Sequence, residues 1–137
     1  MVVDTSALVA MFLAEPEHRA FEAAIDKAPE ALVSVVSRVE LTAVLCGGRV
    51  AADPEQVERF VRSLGVQLVA VTVEQTVLAL RAILAFGKGR HPAKLNLGDC
   101  FAYALAKSLD APLLFKGDDF SRTDIVPAWR PPESTGP

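Results

Sequence analysis

The sequence predicts an α/β fold, a three-layer α/β/α sandwich in which helices cover both faces of a central, mainly parallel sheet. Two observations support this class. Short apolar runs alternate along the chain with segments of helical periodicity, an order that is typical of parallel strands joined by helices. In addition, 51% of the 137 residues are hydrophobic, which is enough for one domain to bury a core.

The strands are predicted from short apolar runs that stop at polar or turn residues. Such runs are typical of buried strands in parallel sheets, especially where β-branched residues dominate them. They occupy, in order, residues 1–3, 32–36, 66–71, 112–115 and the neighbourhood of Ile125 and Val126.

The helices are predicted from apolar residues at helical spacing that follow a residue able to start or cap a helix. Ser37 and Glu40, for example, have the spacing of a capping box, so the third helix is predicted to begin at Ser37. The predicted helices follow one another at residues 7–13, 16–29, 37–46, 53–64, 72–84 and 100–109. The basic, glycine-rich segment 87–92 between the last two is predicted to be a loop.

Composition limits the function classes that need to be considered. We expect one domain at residues 1–130 and a disordered tail at 131–137. No apolar run approaches the roughly 20 residues that cross a bilayer, and the N-terminus lacks the pattern of a signal peptide. Cys46 and Cys100 lie in apolar helical patterns and suit two reduced thiols in a cytoplasmic protein. A net charge of −3 argues against a protein that holds nucleic acid through bulk positive charge.

Four acids lie at the ends of predicted elements. Asp4 and Asp118 follow strands directly, and ligands of parallel α/β sheets bind beyond the carboxyl ends of strands. Glu40 and Asp99 lie in the first turns of predicted helices, where short connections hold them near the same edge. We therefore expect the four carboxylates to converge.

Each acid also has a purely structural explanation. Asp4 can cap the first helix, Glu40 can be the capping-box partner of Ser37, Asp99 can do the same for Asn96, and Asp118 can be a turn residue. Crowded carboxylates repel one another, however, and no matching set of basic residues lies beside all four. A hard divalent cation, Mg²⁺ or Mn²⁺, would resolve the repulsion and suits phosphodiester chemistry.

The chain resembles the PIN domain, and in particular the VapC toxins of toxin–antitoxin pairs, over nearly its whole length. Four segments carry the resemblance in the right order: Val-Val-Asp4-Thr-Ser6-Ala-Leu, Ser-Arg38-Val-Glu40-Leu, Leu-Asn-Leu-Gly-Asp99-Cys-Phe-Ala-Tyr-Ala and Leu-Leu-Phe-Lys-Gly-Asp118-Asp119-Phe.

This resemblance implies a site and a reaction. Asp4, Glu40, Asp99 and an acid of the Gly-Asp-Asp segment, Asp118 with Asp119 as the alternate, would bind Mg²⁺ or Mn²⁺, and Ser6 would support the site. The reaction implied is hydrolysis of RNA by metal-activated water. The implied partners are a second copy of the chain and a cognate VapB-like antitoxin. Arg38, Lys116, Lys88, Arg90 and His91 are candidates for contact with RNA phosphates, although solvated surface is the favoured explanation for each.

Two alternatives remain open at this point. The first is a haloacid-dehalogenase-like phosphatase, because Asp4 and the later Lys116, Asp118 and Asp124 superficially resemble its motifs; Ser6 stands where a second aspartate is expected. The second is a PIN-like protein without catalytic activity, which binds a partner and uses its acids as helix caps.

Overall fold

The computed structural model describes residues 1–134 and 136. Within this range the chain forms four parallel strands, six α-helices and a short 3₁₀ helix at Phe120–Arg122. Of the tail for which disorder is predicted, Thr135 and Pro137 lie outside the described residues. The extent of the domain and the disorder of the tail stay predictions.

The sheet is parallel throughout, with β1 near its centre. Its strands are β1 (Val2–Val3), β2 (Leu32–Ser34), β3 (Gln67–Val69) and β4 (Leu113–Leu114), in the order β3-β2-β1-β4. In register, Val2 pairs with both Leu32 and Leu113. Because β1 lies between β2 and β4, the residue that follows it, Asp4, emerges near the middle of the carboxyl edge of the sheet.

All the helices except α2 begin after a side chain that accepts a hydrogen bond from a free backbone N–H. They are α1 (Thr5–Phe12), α2 (His18–Lys27), α3 (Val35–Cys46), α4 (Pro54–Leu64), α5 (Val73–Phe86) and α6 (Leu97–Ser108). The caps predicted for α4 and α5, Asp53 and Thr72, are confirmed, and α4 ends at Gly65 with φ at 68°. In the described residues no helix is long and apolar enough to cross a membrane.

The two faces of the sheet have separate apolar cores, because successive side chains of a strand point to opposite faces. Val2 and Leu113 pack on one face with α5 and α6. Val3 and Leu114 pack on the other face with α1, α2, α3 and α4. Helices therefore cover both faces, and the predicted α/β/α sandwich is confirmed.

The start of α3 differs from the prediction. The helix begins at Val35, and its N-cap is Ser34, whose Oγ accepts a hydrogen bond from the backbone N–H of Val36. Ser37, predicted as the cap, is fully buried one turn into the helix, and its carbonyl accepts a hydrogen bond from the Thr5 hydroxyl. The predicted capping box of Ser37 and Glu40 is wrong, because Ser34 already ends β2 and caps α3.

The strand predicted near Ile125 and Val126 is reduced to one isolated bridge, between Leu113 and Pro127. The N–H of Leu113 donates to the carbonyl of Val126, and the N–H of Ala128 donates to the carbonyl of Leu113. Pro127 has no N–H with which to continue a ladder. The segment therefore runs along the edge of β4 without forming a regular strand.

Candidate active site

An open cleft of about 360 Å³ lies at the carboxyl edge of the sheet. It is bordered by the end of β1, the start of α6 and one side of α3. Three of the predicted acids line it together: Asp4, Glu40 and Asp99. The structure thus brings together three carboxylates that are separated by up to 95 residues in the sequence.

Asp4 is the most buried of these acids, with only 2% of its surface exposed. Its Oδ2 accepts a hydrogen bond from the N–H of Ser6 at 3.0 Å and caps α1, whereas Oδ1 is buried without a hydrogen-bond partner among the described residues. The pKa of Asp4 is raised from 3.8 to about 6, mainly by burial and in part by the charge of Glu40, against the opposing effect of hydrogen bonds from Ser6.

Asp99 caps a helix and faces the cluster at the same time. Its N–H donates to Asn96 Oδ1 at 2.8 Å, and its Oδ2 accepts from the Asn96 N–H at 3.0 Å, which completes the predicted capping box. Partial burial, followed by the charges of Asp4, Glu40 and Asp119, raises its pKa to about 7. The capping role is therefore confirmed, but it leaves Asp99 within the field of the other acids.

Glu40 reaches the cleft from the second turn of α3, because that helix begins at Val35 and not at Ser37. Its carboxylate lies directly against Gly98, so that a Cβ added there would fall 2.6 Å from Glu40 Cδ. Gly98 is fully buried in the first turn of α6. The absence of a side chain at Gly98 thus makes room for Glu40, a role that sequence analysis missed because the two residues are 58 positions apart.

The structure places the two candidates for the fourth acid, Asp118 and Asp119, differently. Asp118, the first choice from the sequence, lines a separate cavity beside Trp129. The charge of Asp119, by contrast, contributes to the raised pKa of Asp99. Asp118 therefore lies on the separate cavity, whereas Asp119 is close enough to Asp99 for its charge to raise the pKa of that carboxyl. A turn of two consecutive acids directs them to different sides, and neither periodicity nor capping rules reveal which side each takes.

Lys116 and Ser6 join the end of β4 to the cleft. The N–H of Lys116 donates to Ser6 Oγ at 3.0 Å, and both residues line the cleft. The Lys116 ammonium forms ion pairs with Glu15 and, at 3.3 Å, with Glu17. Sequence analysis missed these two acids, which belong to the connection between α1 and α2 and carry no motif.

Two of the other basic candidates, Arg38 and His91, have structural partners, whereas Lys88 and Arg90 are exposed. Arg38 donates hydrogen bonds to Thr42 Oγ1 and to Glu58 Oε2, and thereby joins α3 to α4. His91 Nδ1 accepts a hydrogen bond from the Ala93 N–H, and its ring packs edge-to-face on Phe86 at 5.2 Å. These contacts fit the structural explanation for both residues better than contact with RNA.

Comparison with known proteins identifies the family of this chain. The PIN domain family matches residues 1–126. VapC ribonuclease Mb0640 of Mycobacterium bovis is 44% identical over 126 residues, which cover 92% of this chain and 96% of that protein.

Two solved structures have the same fold. The sarcin-ricin loop cleaving toxin VapC20 of Mycobacterium tuberculosis has a TM-score of 0.68 at 20% identity and covers 95% of this chain and 98% of its own. A chain of a toxin-antitoxin complex from Klebsiella pneumoniae has a TM-score of 0.69 at 17% identity, with coverage of 93% and 97%.

The fold is that of a PIN domain, which defines the class. Within this class, the chain belongs to the VapC ribonuclease family, on the strength of the family match and the identity over nearly the whole chain. The resemblance on which the sequence analysis depended is confirmed. The phosphatase alternative is wrong, and Asp124, on which it partly depended, pairs with Lys107 and Tyr103 away from the cleft.

Proposed function

We propose that the protein is the ribonuclease toxin of a toxin–antitoxin pair and hydrolyses RNA phosphodiester bonds with the help of Mg²⁺ or Mn²⁺. One observation carries the proposal. Asp4 and Asp99 keep raised pKa values because burial and their neighbours disfavour their charges, yet they line one open cleft together with Glu40. Carboxylates crowded in this way are disfavoured without a cation, and a cation would stabilise them.

The donors of the cleft fit a hard divalent cation. Asp4, Glu40 and Asp99 supply carboxylate oxygens, and Asp4 Oδ1 is a buried acceptor without a hydrogen bond among the described residues. In the described part of the chain, no three His, Cys, Asp or Glu side chains lie close enough to enclose an ion by themselves. A site that does not enclose the ion suits Mg²⁺, which keeps several waters and is commonly held by one or two carboxylates together with a substrate phosphate.

The chain orients each of these carboxylates in a different way. Ser6 holds Oδ2 of Asp4 and leaves Oδ1 free. Asn96 holds Oδ2 of Asp99, and Gly98 gives Glu40 the room to approach. We propose these three acids, with Asp119 as the fourth, as the residues that hold the cation. The chemistry that it supplies when bound is activation of the attacking water and compensation of the charge on the phosphate.

Lys116 is the cation of the chain that is best placed to contact the RNA backbone. It lines the cleft, and Glu15 and Glu17 restrict the position of its ammonium group. A lysine held in this way can meet a phosphate without first losing much side-chain freedom. We propose that Lys116 binds the substrate and that Ser6 fixes the backbone of Lys116.

We also propose a homodimer that pairs with a VapB-like antitoxin. An exposed apolar stripe runs along α5, with 83%, 42%, 59% and 61% exposure at Val73, Val77, Leu80 and Leu84. These residues recur at the spacing of one helix face, and a continuous exposed face of this kind is typical of an interface. We assign it to a second copy of the chain. Two free thiols, Cys46 and Cys100, fit the cytoplasm as the compartment.

The proposal is tested by RNA cleavage. Purified protein free of antitoxin is incubated with structured and single-stranded RNA, with Mg²⁺ or with EDTA. We expect cleavage with Mg²⁺ only, and a loss of about 100-fold or more in Asp99→Asn, since the cation contributes several kcal/mol to such reactions. Asp53→Asn is the matched control, because Asp53 also caps a helix through its carboxylate but lies outside the cleft.

Full activity in EDTA would exclude the metal mechanism. If cleavage is never observed and Asp99→Asn binds its partner as the wild type does, the alternative of a partner-binding protein without catalytic activity is correct. The Asp53→Asn control separates both outcomes from a general loss of folding.

A further inference from the structure

A second cavity lies beside the carboxylate cleft and has no role in the proposed reaction. Its volume is about 390 Å³, within the range of roughly 300–1,000 Å³ that small-molecule sites occupy. It lies between the segment that follows β4, the start of α2 and the residues around Trp129. Lys116 lines both this cavity and the cleft, so the two are immediate neighbours.

The cavity has an aromatic wall. Trp129 lines it and is only partly buried, and its ring packs edge-to-face on the fully buried Phe21 at 5.2 Å and 88°. Phe115, which is also buried, lines the same cavity and packs on Phe120 at 5.3 Å. An indole that is held in place yet accessible is a stacking surface for an unpaired base, the main way in which proteins bind bases of single-stranded RNA.

Two of the polar groups of the cavity are carboxylate acceptors. Glu17 and Asp118 line it, and Glu17 Oε2 is buried and accepts no hydrogen bond from the described residues, although it lies 3.3 Å from Lys116 Nζ. The Ser121 hydroxyl already donates to the Asp118 carbonyl at 2.6 Å. Carboxylates in a base pocket select bases that present N–H donors.

Guanine is the base that fits these acceptors. Its Watson–Crick edge presents two neighbouring donors, the ring N1–H and the exocyclic amine, and one carboxylate can accept from both. Adenine, cytosine and uracil each place an acceptor next to their donor on this edge, which would face a carboxylate oxygen unfavourably. Arg130, which also lines the cavity, adds a positive group for the adjoining phosphate.

We propose that this cavity binds a guanine base of the RNA next to the phosphate that is cleaved. The ring stacks on Trp129, and its Watson–Crick edge donates to Asp118 or Glu17. The proposal rests on the proposed ribonuclease function and names the specificity subsite of that function. It also gives Asp118 a role that differs from that of Asp119.

Tryptophan fluorescence tests the proposal directly, because Trp129 is the only tryptophan of the chain. Its fluorescence is followed while GMP, AMP, CMP or UMP is added to the full chain in EDTA, so that no cation draws the phosphate into the cleft. We expect GMP to quench the signal with an affinity about tenfold higher than the other three nucleotides. Asp118→Asn, an exposed substitution, is expected to remove most of this difference, and Glu17→Gln tests the second acceptor in the same way.

Asp99→Asn separates this proposal from the proposed function. This variant is expected to bind GMP as the wild type does, with circular dichroism as the check of folding, although it no longer cleaves RNA. Equal quenching by all four nucleotides, or no quenching, would overturn the guanine subsite even if metal-dependent cleavage is observed. Selective GMP binding without cleavage would support the guanine subsite and refute the proposed ribonuclease function. Fluorescence that responds only to a partner protein would also overturn the subsite.

Discussion

Replacing Asp4 with asparagine is expected to stabilise the protein at pH 8 in the absence of divalent cations. Burial and the charge of Glu40 raise the pKa of Asp4 from 3.8 to about 6. A rise of this size means that the ionised carboxylate costs the folded state up to about 3 kcal/mol. Asparagine removes the charge but can still accept the hydrogen bond from the Ser6 N–H, since Asn and Asp cap helices about equally well.

The sign of this effect depends on pH. The folded protein binds the Asp4 proton more tightly than the unfolded chain does, so the wild type is penalised least below pH 3.8, and the penalty grows until pH passes about 6. The gain of Asp4→Asn is therefore expected to be roughly 1.5 kcal/mol at pH 5 and about 3 kcal/mol at pH 8. The raised pKa of Asp99 also lowers the stability of both the wild type and Asp4→Asn as the pH rises.

Urea unfolding in EDTA at pH 5 and pH 8 measures this gain directly. Asp53→Asn is the control, because the exposed Asp53 caps α4 without facing other acids. This substitution should change the free energy of unfolding of the protein equally at both pH values. Added Mg²⁺ should stabilise the wild type more than Asp4→Asn, since a cation that binds the folded state alone raises its stability. A variant that is less stable than the wild type at pH 8 would refute the reasoning and leave Asp4 as a helix cap.

Three further predictions concern other parts of the molecule. Gly98→Ala should lower RNA cleavage by at least about tenfold, because its Cβ would displace the Glu40 carboxylate; unchanged kinetics would contradict this packing. Arg38→Met should lower the free energy of unfolding by about 1 kcal/mol through loss of the ion pair with Glu58, while RNA affinity and its salt dependence stay unchanged. Leu80→Glu should convert a dimer to monomers in sedimentation experiments, because it places a charge in the apolar stripe of α5.

Local interactions explain what could be predicted from the sequence. Asp4 was found because it follows a strand and caps the next helix, and Asp99 because it lies in the first turn of a helix and completes its capping box. Capping depends on a few adjacent residues, and the alternation of strands and helices depends on periodicity along the chain. Both are visible in the sequence, and so were the fold class and the three acids that line the cleft together.

Glu40 was predicted for the site for an incorrect reason. The sequence offers two serines that can start α3, and only the pairing of β2 with its neighbours decides that the strand ends at Ser34. The helix therefore begins two residues earlier than predicted, and Glu40 occupies its second turn. The carboxylate still reaches the cleft because Gly98, on another helix, leaves space for it.

The choice between Asp118 and Asp119 depends wholly on tertiary structure. Both acids lie in the same turn and have identical side chains, so no local rule separates them. What orients the turn is the burial of Phe120, which is only 3% exposed and packs on Phe115. The sequence by itself determined the α/β class and the carboxylates at helix starts, because these follow from contacts between near neighbours. Only long-range packing decided where each acid of this turn lies, that Gly98 makes room for Glu40 and that Lys116 lines the cleft.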